Sequence, residues 1–104
     1  MNKMNINGYE IEPFTDLRGA NLRDTNLNCV HLNNANLSEV DFCFSSLLGA
    51  DFRYSNLCNA NFSNAYLVGA NFYQANLVGA NFTGANLSGA FLEGTILDHK
   101  LNRK

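Results

Sequence analysis

The sequence predicts an all-β fold, a four-sided solenoid of about four coils wound from one continuous chain. Three observations carry this expectation. A five-residue word repeats without interruption, as in "LVGANFYQANLVGANFTGANLSGA". Its central residue alternates between Leu and Phe from Leu37 to Leu87, and a turn-forming Gly, Asn or Asp recurs at a fixed position of most words.

The central residues fall at Leu17, Leu22, Leu27, Leu32, Leu37, Phe42, Leu47, Phe52, Leu57, Phe62, Leu67, Phe72, Leu77, Phe82, Leu87, Leu92 and Leu97. These 17 words have no insertion. With the centre as position i, position i−2 is always Ala, Thr, Val or Ser, and i−1 is Asn or Asp in 12 words. A helix advances about 100° per residue, so a five-residue repeat spirals around it and buries no single face. A flat strand alternates sides at every residue, so an odd period swaps inside and outside at each word. The phase holds only if the chain bends once per word. Position i+2 supplies the bend: it is Gly at seven positions, including Gly19, Gly49, Gly69 and Gly79, and Asn or Asp at Asp24, Asn34, Asn59 and Asn64. These residues tolerate positive φ. Each word is then an extended stretch plus a turn, with i−2 and i facing inward and i−1 outward.

The alternation sets the number of words per coil. Three words per coil would stack Leu on Phe. Four words, a step of 20 residues, stack like on like: Leu17/Leu37/Leu57/Leu77/Leu97, Leu22/Phe42/Phe62/Phe82, Leu27/Leu47/Leu67/Leu87 and Leu32/Phe52/Phe72/Leu92. Such columns suit layers about 4.8 Å apart. Small i−2 residues fit where large side chains from four walls converge.

These words, A[N/D][L/F]xx in tandem, resemble the pentapeptide repeat proteins, and the opening "INGYEIEPFTDLRGANL" is similar to the lead-in of short bacterial members, notably cyanobacterial ones. The resemblance implies a right-handed quadrilateral β-helix with four pentapeptides per coil. It does not imply a single function, because a fold hosts many. Some members of the family are DNA mimics that bind DNA gyrase. The division expected is residues 1–14 as an N-terminal cap, 15–99 as the β-helix and 100–104 as a short tail. Two kinds of departure stand out. At i−1, Tyr66, Phe91 and Ile96 lose the polar residue, and His31 and Ser46 replace Asn or Asp.

Composition excludes several classes. The chain has 104 residues, a hydrophobic fraction of 46% and a net charge of −2. It is long enough for one small domain and too apolar for disorder. No signal-peptide core and no apolar run near 18 residues is present, so a soluble cytoplasmic protein is expected. Cys29, Cys43 and Cys58 lack metal-like spacing and read as reduced structural thiols. A DNA segment as long as the rod would carry about 12 negative charges. The net charge of −2, with Arg18, Arg23 and Arg53 set among the acids, gives a DNA mimic little electrostatic support.

No convergent chemistry is legible. His31 and His99 lie more than three coils apart, and Asp41 and Asp51 read as turn-bonding residues. The pair Cys29 and His31 has no companion ligands for a metal. Neither an enzyme nor a cofactor is expected. The informative feature is an absence: no charged residue occurs from Tyr54 to Leu92. Outward positions there and just before include Leu48, Tyr54, Tyr66, Val68 and Tyr73, the expected surface for a protein partner. At the ends, Ile6, Tyr9, Ile11 and Phe14 are expected to cover the N-terminal core. The thin C-terminal tail, with Phe91 and Ile96 facing outward, predicts a homodimer through the last coil. Direct nucleic-acid or membrane binding is not expected. The function expected is a non-catalytic structural or protein-interaction module, the alternative being a gyrase-binding DNA mimic.

Overall fold

A computed structural model describes residues 4–97 of the chain. Asp98, His99 and the tail assigned to residues 100–104 lie outside the described residues.

The five-residue word closes its own backbone accounting, as the word centred on Phe72 illustrates. Ala70 N–H donates to Leu67 O at 3.0 Å and closes the preceding turn. Asn71 N–H donates to Ala50 O one coil below, at 2.9 Å, and Phe72 N–H to Phe91 O one coil above, at 2.8 Å. Gln74 N–H donates upward to Glu93 O at 3.0 Å. The fifth donor, Tyr73 N–H, bonds the Asn71 side-chain Oδ1 at 3.0 Å. Buried amides need such partners, and here every one is supplied.

Parallel bridges link position i−1 of each word to the residue 20 positions on, from Asp16↔Asn36 through Asn76↔Ile96. Four words therefore make one coil, and the four columns form the walls of a square rod. We label them A (Leu17 column), B (Leu22), C (Leu27) and D (Leu32). The bend sits at i+1 and i+2, with positive φ at i+2 throughout. The same conformation is imposed on Cys29, Glu39, Phe44, Tyr54 and Gln74, with φ near 60°. The register of the coil overrides a local cost of about 1–2 kcal/mol per residue.

Leu22 through Leu77 at the central positions are fully buried. Phe42, Phe62 and Phe82 stack on wall B with centroids 5.0 and 5.1 Å apart. Phe52 and Phe72 stack on wall D at 5.2 Å. The two stacks meet edge-on across the rod at 5.7 to 6.0 Å, a zipper of rings between opposite walls. Phe82 and Leu87 pack against this core and are half-buried.

The N-terminal end is built differently from its expectation. Strands β1 (Met4–Ile6) and β2 (Tyr9–Ile11) form an antiparallel hairpin. Its turn is Asn7-Gly8, both at positive φ, the conformation a two-residue hairpin requires. Ile6, Tyr9 and Ile11 pack on the core. Phe14 does not: it is 76% exposed. Its N–H instead donates to Asn33 O at 3.1 Å, and Asn7 Nδ2 donates to Asn21 O at 3.2 Å. The hairpin and the chain after it thus cover the first coil and take up some of its free carbonyls.

Candidate interaction surface

The outer face is set by what occupies i−1, i+1 and i+2. All twelve Asn and Asp residues at i−1 accept the i+1 N–H of their own word, at 2.9 to 3.3 Å. This includes Asp41 and Asp51, whose turn-bonding role was expected. The residue type follows from the geometry: a short side-chain oxygen reaches the donor that no backbone carbonyl meets. Where Ser46 replaces Asn, Asn28 of the coil below substitutes. Its Oδ1 accepts from Leu48 N–H at 3.0 Å and from Ser46 Oγ at 2.6 Å. The sequence pattern alone did not reveal Asn28 in this role.

Charges gather in the N-terminal coils, and the aspartates there are paired with arginines. Arg18 holds Asp16, and its hydrogen bond keeps the Asp16 carboxyl below the usual range. Arg53 grips both oxygens of Asp51 at 2.8 and 2.7 Å, and this bond lowers the Asp51 pKa. Arg23 bonds Asp24 at 3.3 Å and lies 3.7 Å from Asp41. Exposed pairs of this kind add about 0–1 kcal/mol each, but they cancel the field of the carboxylates.

The residues expected to meet a partner are brought together in part. Tyr54 and Tyr73, at the corner after wall D, touch edge-on with centroids 5.7 Å apart. Tyr54 is 54% exposed and Tyr73 37%. Tyr66 lies on wall C and is 53% exposed. Leu48 and Val68 occupy the corner between C and D, where Gly49 N–H donates to Val68 O. Val68 is exposed, whereas Leu48 is half-buried. The two groups are separated by the wall D column His31, Asp51, Asn71 and Phe91. Beside that column runs a shallow groove of about 260 Å³ lined by Arg53, Asn71, Tyr73, Phe91 and Glu93. Phe91 and Ile96, expected at a dimer end, are 62% and 56% exposed.

Cys29 is exposed, Cys58 half-buried and Cys43 buried, and all three are free. Among the described residues no three His, Cys, Asp or Glu side chains converge on a metal-sized site. No helix is long and apolar enough to cross a membrane among them either.

A parallel coil of four pentapeptides around a Leu and Phe core defines a β-helical repeat protein. The family described as pentapeptide repeats matches residues 15–45, 45–84 and 75–99, and the chain belongs to that family. Its right-handed quadrilateral helix is shared with solved relatives. Rfr23, a pentapeptide repeat protein of the cyanobacterium Cyanothece 51142, is 39% identical with a TM-score of 0.82. The match covers 84% of this chain and 59% of Rfr23. The pentapeptide repeat protein alr5209 of Nostoc PCC 7120 is 33% identical over 79% of this chain and 84% of its own, with a TM-score of 0.73. One from the Arabidopsis thaliana thylakoid lumen is 32% identical, covering 73% and 63% of the two chains, with a TM-score of 0.53. No curated protein matches the chain.

Proposed function

We propose that this protein is a non-catalytic interaction module that presents a rigid side wall to a protein partner. The carrying observation is the segregation of its surface. Charged residues, the aspartates paired with arginines, occupy the first coils, while Tyr54, Tyr66, Val68, Tyr73 and Val78 stand exposed within a stretch that holds no charge at all. Aromatic residues with a polar tip bury large area at little cost in conformational entropy. The rod holds them on backbone that is hydrogen-bonded above and below, so little ordering remains to be done on binding. No cofactor enters this function, and no nucleic acid or membrane is its target.

A gyrase-binding DNA mimic fits less well. Such a mimic needs a dense, unneutralised row of carboxylates, whereas Arg18 pairs with Asp16, Arg53 with Asp51, and Arg23 is shared by Asp24 and Asp41. The test is affinity capture from native lysate with wild type and a Tyr66→Asn/Tyr73→Asn variant, alongside a gyrase supercoiling assay. A protein held by the wild type and reduced at least tenfold in the variant is the expected result. Sub-micromolar inhibition or protection of gyrase would overturn the preference.

A further inference from the structure

Wall D carries a plug and a socket on one face. Its i−1 column runs His31, Asp51, Asn71 and Phe91, joined coil to coil by parallel bridges. The i+1 column beside it runs through Arg53, Tyr73 and Glu93, a cation, a ring and an anion in that order. Successive coils lie about 4.8 Å apart, so the two charges stand about 10 Å apart with Tyr73 midway. In the upper part Phe91, Tyr73 and Glu93 line the shallow groove already described. The Glu93 carboxylate is exposed and pairs with no cation among the described residues. Two rings and an unpaired carboxylate suit a guanidinium, which stacks on aromatic faces and bonds carboxylates. In the lower part Asp51 holds Arg53 through Nε and Nη2. That grip fixes the head of the side chain and leaves Nη1 without a partner among the described residues.

We propose that wall D docks wall D of a second copy, the rods side by side and antiparallel, with Arg53 of each filling the socket of Phe91, Tyr73 and Glu93 on the other. This rests on the reading of the side wall as an interface, and it names the occupant. The order of charges fixes the register. A two-fold axis along the rods would set Arg53 against Arg53 and Glu93 against Glu93. An axis across wall D at the level of Tyr73 reverses one rod and keeps each column opposite itself. Arg53 then faces the second copy's Glu93, Asp51 faces its Phe91, and Tyr73 meets Tyr73 between the two charge pairs. The Arg53 head, drawn toward Asp51, lies against that Phe91 ring. Tyr54, at the corner, faces the second copy's Gly94, which has no side chain to obstruct it. An aromatic residue at Phe91, where most words carry Asn or Asp, is thereby accounted for.

The size of the contact sets its strength. The rod is 23 Å across. Overlap of the coils that hold Asp51, Asn71 and Phe91 gives roughly 400 Å² a side, or about 800 Å² for the pair, the size of weak and reversible interfaces. Charge pairs at such a rim fix orientation and partner choice more than affinity.

Sedimentation of the full chain from about 10 μM to about 1 mM tests this, the range in which weak interfaces form. Wild type is expected to dimerise reversibly within it. Arg53→Glu and Glu93→Arg each place like charges at both contacts, and each is expected to raise the dimer dissociation constant at least about tenfold. An equimolar mixture of the two variants carries opposite charges at both contacts and is expected to pair within about threefold of wild type. Phe91→Asn restores the usual i−1 residue and should weaken pairing about threefold. Thr83→Glu, exposed on the opposite wall B, changes net charge and should leave pairing as it is. A wild type that stays monomeric across the range overturns the proposal, and the lysate capture then decides separately whether the wall has a different protein partner. A dimer indifferent to both charge swaps overturns wall D as its face. Variants that fail to recover on mixing overturn the antiparallel register.

Discussion

The first and last coils obey the same five-residue grammar and differ in nearly everything else. The first is roofed by a hairpin, carries paired charges, and buries Leu22, Leu27 and Leu32 completely. The last has no charge before Glu93, half-exposed central residues, and N–H groups at Leu87, Gly89, Leu92 and Gly94 that meet no backbone acceptor among the described residues. The contrast teaches that stability in a solenoid is local. A residue is worth what its neighbouring coils allow, not what its place in the repeat promises.

Substitution within the ring zipper should break this comparison most sharply. Phe62 touches Phe42, Phe52, Phe72 and Phe82. Phe62→Ala is expected to cost about 3–5 kcal/mol, and Phe82→Ala on the same wall less than half as much. Urea midpoints of the two variants measure the difference. Equal losses would mean that the last coil is as well covered as the middle.

Glycines at equivalent turns give a smaller contrast. Gly19 and Gly79 share wall A and positive φ, near 70° and 76°. A side chain at Gly19 would meet nothing within 4 Å, whereas at Gly79 it would strike the Asn59 side chain. Gly19→Ala should cost about 1 kcal/mol from backbone strain, and Gly79→Ala less than about 1 kcal/mol more, because the Asn59 side chain must swing aside. Thermal unfolding separates them.

The smallest effect is on acidification. Asp16 and Asp51 have carboxyls lowered by Arg18 and Arg53. A depressed folded-state pKa stabilises at pH above the unfolded value, and that contribution disappears as pH falls through the folded one. Hydrogen exchange below about pH 4 should therefore loosen the first coils before the upper ones. Asp51→Asn should flatten the response, since the amide oxygen can still accept from Arg53 N–H while the ion pair is gone.

Much of this fold was legible because packing repeats itself. The like-on-like columns, the inward small residues and the one bend per word follow from period and alternation alone. The hairpin was missed, although Asn7-Gly8 between Ile6 and Tyr9 carries its turn signal. Apolar character alone places Ile6, Tyr9 and Ile11 on the core, but it places Phe14 there equally, because it carries no information on side-chain direction. Positive φ at Phe44, Tyr54 and Gln74 was not readable, because those residues do not ask for it and only the register imposes it. On the surface, the columns placed Leu48 with Val68 correctly. The partial burial of Leu48 and the ring contact of Tyr54 with Tyr73 depend on side-chain directions that no five-letter pattern encodes.

The alternation of Leu and Phe also makes length a counted quantity. Losing one word would turn every later residue by a quarter of the circuit and set Phe rings over leucines. Losing two words would return Phe to Phe on the opposite wall, and losing four would leave every column on its own wall. Variation in the length of such a rod is therefore channelled into steps of ten and twenty residues. Its surface can be lengthened or shortened while the interior keeps time.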